Sequence, residues 1–509
     1  MNGQQTSPGM SRRGVRTIQR GRRDFLTIVG GTGAALVAAA CGGSNNKSGG
    51  AATAVATRAA ATTRAAAATS AAAATTSGPP ASAARTTPAA PVKVSTVTYI
   101  GGDVAPEEIA WHKKYNDDFA AAFPQYRAED TEYAATTDFY TKLQTALATN
   151  SVPDFIFKDS QGLNLPTLWD QGLLAPLNDV IDDIYKLAGG KDKFSQATVD
   201  RFTAPSGDVF GVPTMTTGWV WWFRQDLLQQ AGLTPPAGHW DWNFLLKAVK
   251  AVHKPPQVYG VALPMGRSTG INFTIGAFIL NNGGHFVSAD LKDVLFDSPE
   301  VRDAVDVLKE LSQYTPPGAT TWALPDQVNA IVQGTCATGA YQGRVFANLV
   351  NTNPSLIGKL SNTTIPYNKE ARSWAGAHAH AVFKAAKTPQ GAKEMVKFSM
   401  RKEQCIPFML TTPGVYAAAI PAYDSDPSYT DNTVLKPFDP KMVAAITDAA
   451  KSLGDFLKEG PSWKTNPKSG TLSGSNFLAD VVQKVVVGKE STQSAVTFGA
   501  QQIRDIMKG

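Results

Sequence analysis

The fifty residues from Gly42 to Pro91 hold no aromatic side chain and no acid, and are almost wholly Ala, Thr, Ser, Gly and Pro. A segment of this kind buries too little apolar surface to offset the entropy of ordering it. Gly78-Pro79-Pro80, Pro88 and Pro91 also argue against one long Ala-rich helix. The stretch reads as a flexible stalk. It divides the 509-residue chain into a leader, a tether and a body that starts near Val92.

The leader has its own pattern. Arg22-Arg23-Asp24-Phe25-Leu26 precedes a mild apolar run, Thr27 to Ala40, and three Ala stand directly before Cys41. A twin-arginine pair, an apolar region and small residues ahead of a cleavage point make a bacterial export signal. The run is too short and too rich in Gly and Ala for a bilayer span of roughly 20 apolar residues. It resembles a twin-arginine lipoprotein signal, with Ala38 where Leu is usual. The resemblance implies a signal peptide over 1–40, lipid on Cys41, a disordered tether over 41–91 and a membrane-anchored, extracytoplasmic protein.

The chain carries 48 basic and 42 acidic residues. Residues 1–40 hold six Arg and one Asp, and the stalk holds Lys47, Arg58, Arg64 and Arg85 with no acid. The body therefore has 38 bases against 41 acids. The basic balance belongs to leader and stalk, and gives no argument for a nucleic-acid partner. Apart from Cys41 the chain has only Cys336 and Cys405, which is no disulfide framework. Cys336, between Gly334-Thr335 and Ala337, reads as a buried free thiol.

A body of this length exceeds a single core, so two domains are expected. Val92 to Ile100 is β-branched and continuous, as in a buried parallel strand, and Gly101-Gly102-Asp103 breaks it. A helix with Trp111, Tyr115, Phe119 and Phe123 on one side follows, then a helix over 140–148, then a short buried strand at Pro153 to Phe157. Strand alternating with helix predicts a parallel sheet with crossovers. Asp241, Ser298 with Pro299, and Thr388 with Pro389 mark helix starts. Phe477 to Met507 reads as two amphipathic helices broken near Gly488.

Several short motifs fall in one order. Asn150-Ser151-Val152-Pro153-Asp154-Phe155 is followed by Gly207-Asp208-Val209-Phe210-Gly211-Val212-Pro213 and Trp222-Phe223-Arg224-Gln225-Asp226-Leu227-Leu228. Next come Ala231-Gly232-Leu233, Trp240-Asp241-Trp242, Asn282-Gly283-Gly284, Ser298-Pro299-Glu300, Val332 to Ala337 and Ser399 to Gln404. This series resembles the family 1 extracellular solute-binding proteins, the sugar-type receptors of ABC importers. Arg224, where Asn is usual, Cys336, near a usual Ala-Met, and Trp242, in place of Glu, depart from the pattern.

The resemblance implies an α/β, two-lobe fold of the periplasmic-binding-protein kind. Each lobe would be a mainly parallel sheet flanked by helices, and hinge strands would join them. Lobe one would be 92–220 plus 382–436, and lobe two 223–378 plus 440–509, with crossings at Trp219 to Arg224 and near Trp374 to Phe383. It further implies a monomer that closes on a small ligand, a mono- or oligosaccharide, and hands it unchanged to ABC permease subunits. No cofactor is implied.

The candidate ligand residues lie on crossing strands and at strand ends. Trp219, Trp221 and Phe223 alternate with Trp222 and Arg224 along one strand. A flat ring stacks on the C–H face of a pyranose, and Trp242 and Trp374 join Trp219 and Trp221 as candidates. Each has the alternative of filling the core beneath the hinge. Asp103, Asp154 and Asp159 follow or end predicted strands, where open sheets place ligands, with a cap or loop ion pair as the plainer role. Tyr341 and Arg344 lie where the family has a ligand-touching turn. Gly376 and His378 lie at the second crossing, where small residues admit a ligand to the backbone.

A search for chemistry finds little. His378-Ala379-His380 places two imidazoles on one strand face, but with no third ligand nearby no metal site is expected. There is no His-Glu-x-x-His, Gly-x-Ser-x-Gly, Walker A or Cys-x-x-Cys motif. Scattered carboxylates leave one alternative in another class, a surface-tethered carbohydrate-active hydrolase, which requires two carboxyls facing each other across the cleft. Within the binding class, glycerol phosphates, polyamines and iron complexes are the alternative ligands.

Overall fold

The computed structural model describes residues 90–99, 105–129, 132–134, 143, 145–159 and 164–508. The leader, Cys41, the stalk up to Ala89, the Gly101-Gly102-Asp103 break and residues 140–142 and 144 of the helix expected over 140–148 lie outside the described residues. Arg85–Gly509 form one compact unit.

The apolar run from Val92 is two strands, β1 (Val92–Val94) and β2 (Thr96–Tyr99). Ser95 separates them. Its N–H and hydroxyl both donate to Asp154 Oδ2, at 2.8 and 2.9 Å. The chain therefore changes partner there. β1 pairs in parallel with β3 (Tyr126–Ala128), while β2 runs parallel to both β4 (Glu132–Ala134) and β5 (Phe155–Lys158). Helix α1 (Ala105–Ala122) covers this sheet, laying Trp111, Tyr115 and Phe119 against Phe157, Phe398 and Phe408.

Two sheets carry the body. The first has the strand order β11-β6-β10-β5-β2-β4, with β6 at Val212–Gly218, β10 at Ala375–Val382 and β11 at Tyr416–Ala418. The second has the order β8-β7-β9, with β7 at Val220–Arg224, β8 at Thr338–Tyr341 and β9 at Leu360–Thr364. Each sheet with its helices is a lobe. The expectation of mainly parallel sheets is corrected: β5 with β10, β10 with β6, β6 with β11, and β7 with both β8 and β9 all pair antiparallel. The cause is the crossing. β6 leaves lobe one as β10 returns to it, so the two lie side by side in opposite directions. β10 pairs with β6 from Ala375 onward, so residues 375–378, expected in lobe two, join the lobe-one sheet.

The Asp241 side chain caps α2 (Trp242–Val252), accepting the Phe244 N–H at 2.6 Å, and Ser298 caps α4 (Pro299–Leu311) through the Val301 N–H at 3.3 Å; between them lies α3 (Asn272–Asn281). Thr388 makes no side-chain cap for the helix at Pro389–Ser399. Its hydroxyl donates to the Lys93 carbonyl at 2.7 Å instead and ties the helix start to β1. The tail is two helices, Phe477–Val486 and Thr492–Lys508. Cys336 and Cys405 are both free and buried, and burial pushes both thiols up to about 12. Among the described residues no helix is long and apolar enough to cross a membrane.

Helix α5 (Pro440–Lys451) packs on strands of both lobes, β6, β10 and β11 on one side and β7 and β9 on the other. Gly218 makes this approach possible. A Cβ there would lie 2.7 Å from Ala450 Cα, against backbone that cannot step aside.

Candidate ligand-binding site

The lobes meet where the chain passes between sheets. One residue, Trp219, separates β6 from β7, and Trp374 stands directly before β10. Ser373 pins these two passes together. Its hydroxyl donates to the Trp219 carbonyl at 2.7 Å and accepts the Trp219 N–H at 2.8 Å. A third pass joins them: the Ser373 N–H donates to Ser452 Oγ at 3.0 Å, and Ala375 and Gly454 exchange backbone hydrogen bonds at 3.0 and 3.2 Å. Short extended segments held side by side at a boundary are the construction of a domain hinge.

Aromatic rings cluster on the lobe-two side. Trp219 stacks on Phe273 with centroids 4.8 Å apart and planes 8° apart, and meets Tyr341 edge-on at 5.1 Å. Phe273 is half-buried on α3. Trp219 is buried, as are the other three candidate tryptophans. Trp221 and Trp242 both pack on Phe278, and the Trp242 indole N–H donates to the Pro366 carbonyl at 3.2 Å. The Trp374 indole lies against Gly276 of α3 and edge-on to Phe286 and Phe456. Trp221, Trp242 and Trp374 thus surround α3 inside lobe two, and Trp219 and Trp374 both stand at the crossing. Arg344 is half-buried just after Tyr341 ends β8, and Gly376 faces Thr217 across the β10–β6 pair.

Lobe one supplies a polar edge. Asp159 follows β5, and its carboxylate accepts the Asn164 N–H at 3.0 Å. His378 Nδ1–H donates to the Asp159 carbonyl at 3.0 Å, and the ring meets Tyr416 edge-on at 5.7 Å. His380 Nδ1–H donates to the Phe157 carbonyl, and its Nε2 lies 2.8 Å from Ser399 Oγ. Burial first, and the nearby Lys158 ammonium second, push both imidazoles down to about 3, so they are neutral hydrogen-bonding groups. Both donate to backbone carbonyls at or just past the end of β5. Among the described residues no group of three or more His, Cys, Asp or Glu could hold a metal ion.

Asp154 departs from its expected place. It stands before β5, not at its end, and is buried. Its carboxylate is taken up by Ser95 and by the Thr388 N–H at 2.8 Å. Ligands bind at the carboxyl ends of such strands. Asp154 lies at the opposite edge, as a brace between β2, β5 and the helix after Thr388. Asp103 lies outside the described residues.

Three groups of this region escape sequence reasoning. A bulge where β2 meets β5, with Phe157 as the extra residue, precedes Lys158, whose ammonium pairs with Glu108 of α1, both buried. A charge in the apolar run Phe155-Ile156-Phe157 was the available signal. Tyr416 and Phe273 carry no local signal, because strand pairing and helix rotation decide which way they face.

The family comparison decides what this arrangement belongs to. Residues 105–404 match the model of the bacterial extracellular solute-binding proteins. The chain belongs to that family. YcjN of Escherichia coli (strain K12), assigned as an ABC transporter periplasmic-binding protein, is 22% identical over 304 residues, covering 58% of this chain and 67% of YcjN. Among solved structures, a sugar transporter protein of Arthrobacter chlorophenolicus A6 with bound laminaribiose superposes with a TM-score of 0.65 at 18% identity, over 82% of this chain and 99% of that one. Maltose-bound MalE3 of T. maritima gives 0.64 at 18% identity, over 82% and 100%. This solute-binding protein therefore has the two-lobe fold of the periplasmic binding proteins, with the Ser373-pinned passes at its lobe boundary.

Proposed function

We propose that this chain is the extracytoplasmic receptor of an ABC importer, tethered by lipid on Cys41 after export by the twin-arginine route, and that it binds a mono- or oligosaccharide in the cleft between its lobes. The observation that carries the reading is the set of three short passes joined at Ser373. They join the two sheets through short extended segments able to absorb a hinge motion. A ligand favours the closed form only if it binds that form better, so both lobes must touch it. Trp219, Tyr341 and Arg344 are the lobe-two contacts in this reading. Asp103, Asp159, Gly376 and His378 are those of lobe one. A carbohydrate ligand is supported by the sugars held in the solved structures of the same fold.

The test is a thermal-shift panel of laminaribiose, maltose, tagatose and mannitol. A sugar at 100 times its dissociation constant should add about 2.7 kcal/mol of stability. Chromatography should recover it unchanged. Turnover of the sugar, or no shift with any carbohydrate, rejects the reading. Cys41→Ala should move the protein from the membrane to the soluble fraction; membrane retention would reject the lipid anchor.

A further inference from the structure

The segment after Gly454 belongs by its contacts to both lobes. On lobe two, the buried Glu459 carboxylate accepts the Phe286 and Val287 N–H groups at 3.0 to 3.2 Å and lies 3.0 Å from His285 Nδ1. Lys464 N–H donates to the Ala289 carbonyl at 2.8 Å. On lobe one, Arg201 forms a buried ion pair with Asp455, and its other guanidinium arm donates to the Lys458 carbonyl at 3.2 Å. Asp455 is next to Gly454, which pairs with Ala375 at the hinge. Farther along, the Thr167 hydroxyl donates to the Pro467 carbonyl, and Gly470 lies so close to Asn164 that a Cβ would meet its side-chain amide. Asn164 directly precedes the helix Leu165–Asp170, and its N–H is held by Asp159 at the carboxyl end of β5. That is the ligand edge of the sheet.

We propose that residues 454–470 are a strap that pivots on Arg201–Asp455 beside the hinge and latches the lobes together at Asn164 and Thr167, gating the ligand cleft. The inference rests on the binding function proposed above. The two ends of the strap differ in kind. The pivot is a buried ion pair one residue from the hinge, where a rotation displaces it little. The latch, farther along the strap, is the Thr167 hydroxyl on the Pro467 carbonyl and the close approach of Gly470 to Asn164.

The experiment is a disulfide across the latch, Asn164→Cys with Gly470→Cys in the full chain carrying Cys41→Ser. A bridge requires Cβ atoms roughly 3.5–4.5 Å apart, so it forms only if the contact is made. The expected result is a bridge on oxidation, a smaller radius of gyration than in the reduced chain, and release of bound laminaribiose or maltose slowed at least about tenfold. Failure to bridge, or a bridge that changes neither compactness nor release, overturns the latch. If no sugar binds the unaltered chain, the binding reading falls, and the difference in compactness alone decides the latch. If the reduced pair binds less well than the unaltered chain, Thr167→Val decides: a dissociation constant about 2- to 10-fold higher at unchanged melting temperature supports the latch, and an unchanged constant overturns it.

Discussion

The Ser373 hydroxyl closes a two-way hydrogen bond with the backbone of Trp219, giving its proton to the carbonyl at 2.7 Å and taking the N–H at 2.8 Å. The two residues are 154 positions apart, on the outward and the returning pass between lobes. Ser373→Ala would leave a buried donor and acceptor without this partner. The expected cost is about 1–3 kcal/mol, read as a lower midpoint in denaturant. An unchanged midpoint would mean that the passes are held together by something else.

Gly218 tests the fit of α5 against the hinge. An added Cβ meets backbone of Ala449 and Ala450, which has no rotamer to escape into. Gly218→Ala should destabilise by about 1–3 kcal/mol as overpacking. Gly172→Ala is the control, with open space around its Cβ but a φ of 71°. If Gly218→Ala proves no worse than this surface change, α5 does not sit as closely as described.

The paired histidines predict a pH dependence. His378 and His380 are held down to about 3 in the fold by burial and by Lys158, against about 6.5 when unfolded. Between those values the unfolded chain binds more protons, so stability is complete above about pH 6.5 and falls as the pH drops toward 3. Asp424, raised by burial to about 6, acts in the opposite sense: its contribution is present below its unfolded value and lost as the pH rises through 6. A variant comparison separates the two. His380→Gln should lower the slope of stability against pH between about 4 and 6 by about 1.4 kcal/mol per pH unit. Parallel slopes for variant and parent would show that His380 takes up its proton in the folded chain as readily as in the unfolded one.

Arg201 and Asp455 form a buried pair, and burial raises the Asp455 carboxyl although the guanidinium opposes it. Removing one partner strands the other charge. Asp455→Asn should cost about 3–5 kcal/mol, whereas Arg201→Met with Asp455→Asn together, which removes both charges and keeps the acceptor for the Leu457 and Lys458 N–H groups, should be much closer to neutral. Denaturant curves of the three chains decide it. A double variant as unstable as the single one would show that packing around the pivot matters more than charge.

The sequence foretold local features better than distant ones. The Asp241 and Ser298 caps and the two tail helices depend on neighbours a few residues away, and all appear. Thr388 carried the same cap signature, but a carbonyl of Lys93, 295 residues distant, captured its hydroxyl. Alternation along β7 separates Trp221 from Trp222, yet says nothing of what covers each face. Phe278 covers one and Phe346 the other, so both rings are core. The antiparallel pairing of β6 with β10 and the Arg201–Asp455 pair join residues more than 150 positions apart, and no periodicity reports such contacts. Composition does not reveal the role of Asp154, because its carboxylate is taken up by Ser95 and Thr388, 59 and 234 positions away.

The central claim is that two lobes close on a sugar about the passes joined at Ser373. Small-angle scattering with and without saturating sugar from the panel tests it most directly. The account predicts a smaller radius of gyration with at least one sugar, reversed on dialysis. A radius unchanged by a sugar that demonstrably binds would contradict it.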